Sequence, residues 1–353
     1  MLQHLGLPGA TGFVAVSTDA QLIHSSPGNR SITDDHRTDA FDDPSMDFLP
    51  APDGLIRRTD GHSDDDELRR GVRRGKLVRV TRGVYRPVDP DGNTRDPDHD
   101  EQYAELVIAV AGRSKQRVVS HVSAAAIHGL NLLAPDQRLV HFYVAAGGCR
   151  TREVHLHEGG ALRESDTTVV DGVLLTKLAL TACDVARQGT FAQAVAVLDH
   201  ALRLGVARSE LGSIAQRFGK TKGIGTLRRA LEVADKNSES VGESLSRALM
   251  IEWSEIPVPS LQTEYRDEHG QLIARVDFDW DGKVVGEFDG KVKYEKNRRP
   301  GESASDVVFR EKQREDRLRD EGLTVVRWVW DDFRKPQILR ARIRRALTQA
   351  GVI

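Results

Sequence analysis

The chain has 353 residues, of which 39% are hydrophobic and 29% charged, with a formal net charge of -2. A length of that order predicts about two folded units plus linkers, and no apolar stretch approaches the roughly 20 residues of a membrane span, which excludes a membrane-spanning class and predicts a cytoplasmic protein with no membrane partner. Only Cys149 and Cys183 occur, which argues against a disulfide framework and against a cysteine zinc site.

Sign is segregated along the chain. Residues 1 to 66 hold twelve Asp and four Arg, whereas residues 69 to 86 (RRGVRRGKLVRVTRGVYR) hold seven Arg, one Lys and no acid. Residues 1–50 mix Gly, Ser, Asp, His and Pro without a period, which predicts a disordered acidic leader; alternatively, translation begins at Met46. No basic region followed by an apolar core precedes it, so no secretory signal is expected.

From Leu55 the pattern changes. SDDDELRRGVRRG predicts a helix capped by Ser63 or Asp64, with acids in its first turn and arginines running to Gly75. KLVRVTRGVYRPV predicts two strands joined by a Thr81-Arg82-Gly83 turn. A helix followed by a basic hairpin is the wing arrangement of winged-helix DNA-binding modules, expected over residues 51–90. Arg69, Arg70, Arg73, Arg74, Lys76, Arg79 and Arg82 are the candidate DNA contacts, because neutralising phosphates needs clustered cations, whereas a merely solvated face mixes signs.

LIRRTD, RRGKLVRVTRGVYRPV and the later VVSHVSAAAIHGL resemble the bacterial AbiEi-type antitoxins of abortive-infection systems and related winged-helix regulators. The resemblance implies a DNA-binding domain that represses its own operon, paired with a toxin partner.

Residues 100–235 read as a mixed α/β middle domain resembling the C-terminal half of that antitoxin family. EQYAELVIAVAG predicts an amphipathic helix, and VVSHVSAAAIHGL a helix capped by Ser120 and stopped by Gly129. LVHFYVAAG and VHLHEG predict strands; VLLTKLALTACDVARQG and FAQAVAVLDHALRLG predict helices. His121, Ser123 and His128 lack a nucleophile elbow or a metal-ligand spacing and are read as packing and capping groups. Asp184 and Asp199 are read as salt-bridged surface acids.

Residues 238–350 form the last predicted domain. ESVGESLSRALMIEWSEIP predicts a helix ending before Pro257; ARVDFDW and KVVGEFDG predict a hairpin; DVVFREKQREDRLRDEG predicts a charged helix ending at Gly322; LTVVRWVW predicts a strand. This αββαβ order is that of a restriction-endonuclease-like fold. Along GEFDGKVKY, Glu287, Asp289 and Lys291 alternate and share a strand face. A two-residue Asp281-Gly282 loop pairs Asp277 with Gly286 and turns Glu287 away, whereas a loop one residue longer pairs Asp277 with Glu287; the longer loop or a bulge is expected. Hard carboxylate oxygens suit Mg²⁺, and an amine beside them positions water or phosphate.

RVDFDW, GEFDGK, the REKQREDRLRDEG helix and TVVRW resemble the Vsr-like branch of the PD-(D/E)XK nuclease superfamily. That resemblance assigns Asp277 as the first acid, Glu287 as the second and Glu243 as the helical acid, with Asp277 and Glu287 as ligands of Mg²⁺. The lysine usually two residues after the second acid is here Asp289. Either Lys291 takes the amine role, or the site works as an E-x-D pattern. Arg314 and Asp316 fall where the branch places a polar pair.

The expected architecture is therefore α/β multidomain: an N-terminal winged helix, a mixed α/β middle and a C-terminal nuclease-like domain. Two functions follow, a DNA-binding transcriptional regulator or antitoxin and a Mg²⁺-dependent DNA endonuclease; the sequence assigns no oligomeric state.

Overall fold

The computed structural model describes residues 51, 53–58, 65–89, 97–114, 117–159, 162–290 and 304–353. The acidic leader, Ser63, Asp64 and Lys291 lie outside the described residues. The described chain is mixed α/β with three sheets and divides into two compact units, 51–89 and 97–353. Among the described residues no helix is long and apolar enough to cross a membrane.

The smaller unit contains β1 (Ile56–Arg57), α1 (Asp65–Arg73), β2 (Leu77–Thr81) and β3 (Val84–Pro87), in an antiparallel sheet of order β1-β3-β2. Asp65, Asp66 and Glu67 sit in the first turn of α1, and Arg70 and Arg73 in its last, both favourable to the helix dipole. Leu68 and Gly71, three apart, are the buried face; Leu68 packs with Ile56, Leu77 and Tyr85, so the arginines are left outside. The β2–β3 hairpin follows one helical end directly, turning at Gly83 with φ +74°.

In the larger unit, α2 (His99–Ala111), β4 (Val118–Val119), α3 (His121–Ile127), β5 (Val140–Val144), β6 (Cys149–Arg150), β7 (Val154–Glu158), β8 (Thr167–Val170) and β9 (Val173–Thr176) build a sheet of order β6-β7-β5-β4-β9-β8. Asp98 caps α2 in a reciprocal box with Glu101. VLLTKLALTACDVARQG, expected as one helix, is instead divided: Val173–Thr176 is a strand, because Asp171 and Gly172, at φ +50° and +75°, fold it back onto β8. Ser120 is the N-cap residue of α3, but its hydroxyl makes no cap bond and lies 2.9 Å from Nδ1 of His121.

Four helices follow, α4 (Leu178–Gln188), α5 (Phe191–Arg203), α6 (Arg208–Arg217) and α7 (Ile224–Val233), closing on a core that includes Leu180, Val195, Leu198, Leu211 and Leu227. Asp184 and Asp199 are fully buried rather than at the surface. Asp184 accepts from Arg187, one turn along α4, at 3.0 Å and from the distant Tyr143 hydroxyl at 2.7 Å, while Asp199 accepts from Arg247 at 2.7 Å and Ser244 at 2.8 Å, both far along the chain.

Arg247 lies on α8 (Val241–Glu252), which leads into β10 (Ser260–Arg266), β11 (Leu272–Trp280), β12 (Val284–Asp289), α9 (Ala304–Asp320), β13 (Thr324–Val329) and α10 (Pro336–Gln349). The sheet order is β10-β11-β12-β13, antiparallel except for the parallel β12–β13 pair. β10 adds a strand to the αββαβ order expected from sequence. Trp280, Phe278, Phe288, Val326 and Trp328 pack with Leu245 and Leu249 of α8 and Ile343 of α10. Val285, Val276, Leu318 and Leu323 form a second cluster toward α9. Ala196 of α5 belongs to the first of these cores, so residues 97–235 and 238–353 share packing across their junction.

Candidate nucleic-acid cleft and carboxylate site

In the smaller unit, the outward face of α1 and the hairpin enclose a cleft of about 510 Å³ lined by Arg58, Asp65, Arg69, Val72, Arg73, Arg79, Arg82, Gly83 and Tyr85. Of the candidate contacts, Arg69, Arg73, Arg79 and Arg82 line it; Arg70, Arg74 and Lys76 are exposed beyond its lining. Arg58, which the sequence reading left out, adds a fifth guanidinium and pairs with Asp65 at 3.2 Å in an exposed bridge. Its signal was position: Arg58 follows β1, and β1 pairs with the hairpin strand β3. Five guanidinium groups around one carboxylate make a surface that attracts a polyanion.

The carboxylates gather at the C-terminal sheet. Trp280 pairs with Val284 and Phe278 with Gly286, so the turn holds three residues, Asp281, Gly282 and Lys283, and the register carries Asp277 to the level of Glu287. The longer turn anticipated from sequence is the one that forms. Asp277 accepts from the Phe288 N–H at 2.8 Å through Oδ2, and Glu287, 2% exposed, accepts from Arg314 of α9 at 2.7 Å. Asp289 is paired with Arg327 at 3.3 Å. Asp316 of the implied polar pair is exposed.

Glu243 enters from the first turn of α8, where it accepts from the Glu239 N–H and the Ser240 hydroxyl, both at 2.8 Å. Gln262 joins it to the strand acids: its amide donates to Glu243 at 3.1 Å and to Asp277 at 3.4 Å. Gln262 was not singled out in the sequence, and the strand pattern gives no hint of it. Its backbone holds φ +53°, and Thr263 pairs with Val276 while Leu261 pairs with Phe278, so Gln262 is a local irregularity beside Asp277. Gly242 lets α8 approach: a Cβ there would lie 2.0 Å from the Phe288 ring. Glu243, Asp277, Glu287 and Asp289 are thus brought to one end of the sheet, with Arg314 beside them.

No family model matches the chain. It is similar to two proteins of Mycobacterium tuberculosis, Uncharacterized protein Rv2248 of strain ATCC 25618 / H37Rv and Uncharacterized protein MT2308 of strain CDC 1551 / Oshkosh. Each is 35% identical over 288 residues, which cover 79% of this chain and 95% of the relative.

Proposed function

The chain belongs to the same family as these two mycobacterial proteins, and for it we propose a DNA-binding transcriptional regulator of the AbiEi antitoxin type, acting in the cytoplasm beside a toxin partner and carrying a nuclease-like C-terminal region. The observation that carries the reading is the arginine cleft between α1 and the hairpin. Like charges are gathered at a cost in mutual repulsion that a bound polyanion removes, and a duplex supplies one phosphate charge per ~1.7 Å of axis. The winged-helix reading places α1 toward a groove and the hairpin on the backbone. Replacing Arg79 and Arg82 with alanine is expected to weaken binding of duplex DNA and to reduce the slope of log K against log salt by about two, near 0.9 for each lost phosphate contact. An unchanged slope in both single and double variants overturns the assignment.

A second reading, a Mg²⁺-dependent DNA endonuclease, is favoured by the register that sets Asp277 opposite Glu287 and by the Gln262 bridge to Glu243. The donor set fits the ion: Asp277 and Glu287 offer hard oxygens, the ligand type that Mg²⁺ prefers. Bound there, Mg²⁺ would stabilise charge developing on a scissile phosphate. Glu243 and Gln262 orient Asp277, and Arg314 holds Glu287. Asp289 supplies the E-x-D acid. Wild type is expected to nick plasmid with Mg²⁺, and an Asp277→Asn, Glu287→Gln double variant to bind DNA without nicking. Equal inactivity of the two proteins leaves the regulator alone.

A further inference from the structure

The middle sheet carries a polar constellation that neither function uses. β5 and β7 run parallel with His141 opposite His155 and Tyr143 opposite His157. Alternation sends Val140, Phe142, Val154 and Leu156 into the core with Tyr103 and Val107 of α2, which leaves His141, Tyr143, His155 and His157 on the other face. His121, at the start of α3, reaches that face and stacks on His157 with ring centroids 3.8 Å apart; His155 lies a further 3.8 Å from His157. Nδ1 of His141 is 2.8 Å from Nε2 of His157. One ring nitrogen from each of His141, His155 and His157 lies within 4.8 Å of the other two.

Crowded imidazoles repel one another once protonated. Burial, followed by the neighbouring rings, pushes His141 down to about 4 and His157 down to about 3, so both are neutral at pH 7. Neutral imidazole is the ligating form. Asp184, behind the rings, is already bonded to Tyr143 and Arg187. His121 is fully buried and holds φ +52°, a left-handed backbone that is uncommon outside glycine and persists where the surroundings enforce it.

We propose that His141, His155 and His157 bind one first-row divalent cation, zinc(II) in preference to magnesium, with the fourth tetrahedral position left to water or an incoming ligand. The 2.8 Å approach of His141 and His157 requires a proton on one of the two nitrogens; the cation replaces that proton, each ring carries its N–H on the other nitrogen, and the pair opens to about 3.3 Å, as Zn–N bonds of ~2.0–2.1 Å at a tetrahedral angle require. Nitrogen donors separate this site from the oxygen site of the C-terminal sheet, so the proposal stands independently of the nuclease reading.

The test uses the tag-free full chain, stripped with a chelator and dialysed, then titrated with Zn²⁺ against a chromophoric competitor. One tight equivalent is expected, with Co²⁺ in its place giving the intense visible absorption of four-coordinate cobalt. H155Q and H157N are each expected to lose more affinity than the roughly 10–100-fold that removing an outer partner costs, while H128N, whose ring bonds the Thr176 carbonyl instead, retains the site. His155 is half-buried, and circular dichroism checks that H155Q remains folded. Failure of wild type to hold stoichiometric zinc overturns the proposal. So does zinc retained by both H155Q and H157N, or zinc lost instead through Asp277→Asn.

Discussion

On the C-terminal sheet Glu287 meets the Arg314 guanidinium and Asp277 the Phe288 N–H and the Gln262 amide; on the middle sheet the imidazoles of His141, His155 and His157 meet chiefly other imidazoles. Both faces bury polar groups, and desolvation has to be offset in each. Carboxylates accept hydrogen bonds, from a guanidinium at Glu287 and from neutral amides at Asp277. Imidazoles can shed their charge, and burial among like groups makes them do so. The first arrangement gives each acid a hydrogen-bond donor, whereas the second sets ring nitrogens beside one another. A strand face rich in polar residues therefore says little until the protonation state its neighbours impose is known.

Both sheets belong to one compact unit, and the largest effect is expected at their junction. Asp199→Ala leaves the Arg247 guanidinium, 4% exposed, without its carboxylate, and removing one partner of such a buried pair costs about 3–5 kcal/mol. Urea unfolding followed by tryptophan fluorescence, which reports the C-terminal sheet, and by hydrogen exchange in β5 should move together. Two separate transitions would show that the sheets fold independently.

A smaller effect sharpens the contrast between charged and neutral faces. Arg314→Met deprives Glu287 of a charged hydrogen bond and is expected to cost about 1.5–3 kcal/mol, while His155→Gln on the metal-free protein changes stability by about 0.5 kcal/mol or less. Equal costs in denaturant titrations would mean that the imidazole face is held together as tightly as the ionic one.

A further effect is one of pH, and it comes from a neutral histidine away from the cluster. His200 is buried, accepts from the Asn131 N–H through Nδ1 at 2.8 Å, and is pushed down to about 4 by burial and then by Arg203. The unfolded side chain titrates near 6.5, so between those values the unfolded chain binds the extra proton and stability falls as pH falls from about 6.5 toward 4. His200→Asn should flatten the pH dependence of the urea midpoint in that window. An identical slope in the variant would remove His200 from the account.

How much of this could be read beforehand depends on how far apart in sequence the partners are. The basic helix and hairpin were legible because α1, its Gly75 stop and the Gly83 turn are all local. The carboxylates were legible because Glu287 and Asp289 alternate on one strand, and the register with Asp277 turns on a single loop residue, Lys283. The histidine face was not. His141 and His155 become neighbours only through parallel pairing of β5 with β7, though the alternation in VHLHE was itself a signal. Asp184 and Asp199 were misplaced on the surface for the same reason: Tyr143 and Arg247, which let them be buried, lie 41 and 48 residues away.

Gly242 gives the carboxylate site a vulnerability unlike that of any ligand. Since a methyl group there would fall 2.0 Å from the Phe288 ring, an alanine would act as a wedge between the start of α8 and β12. It would separate the helical acid from the strand acids while leaving every carboxylate, and the arginine cleft of the other unit, chemically intact. A single small side chain could thus disturb the carboxylate site at one end of the chain and leave the arginine-lined cleft of the other unit unchanged.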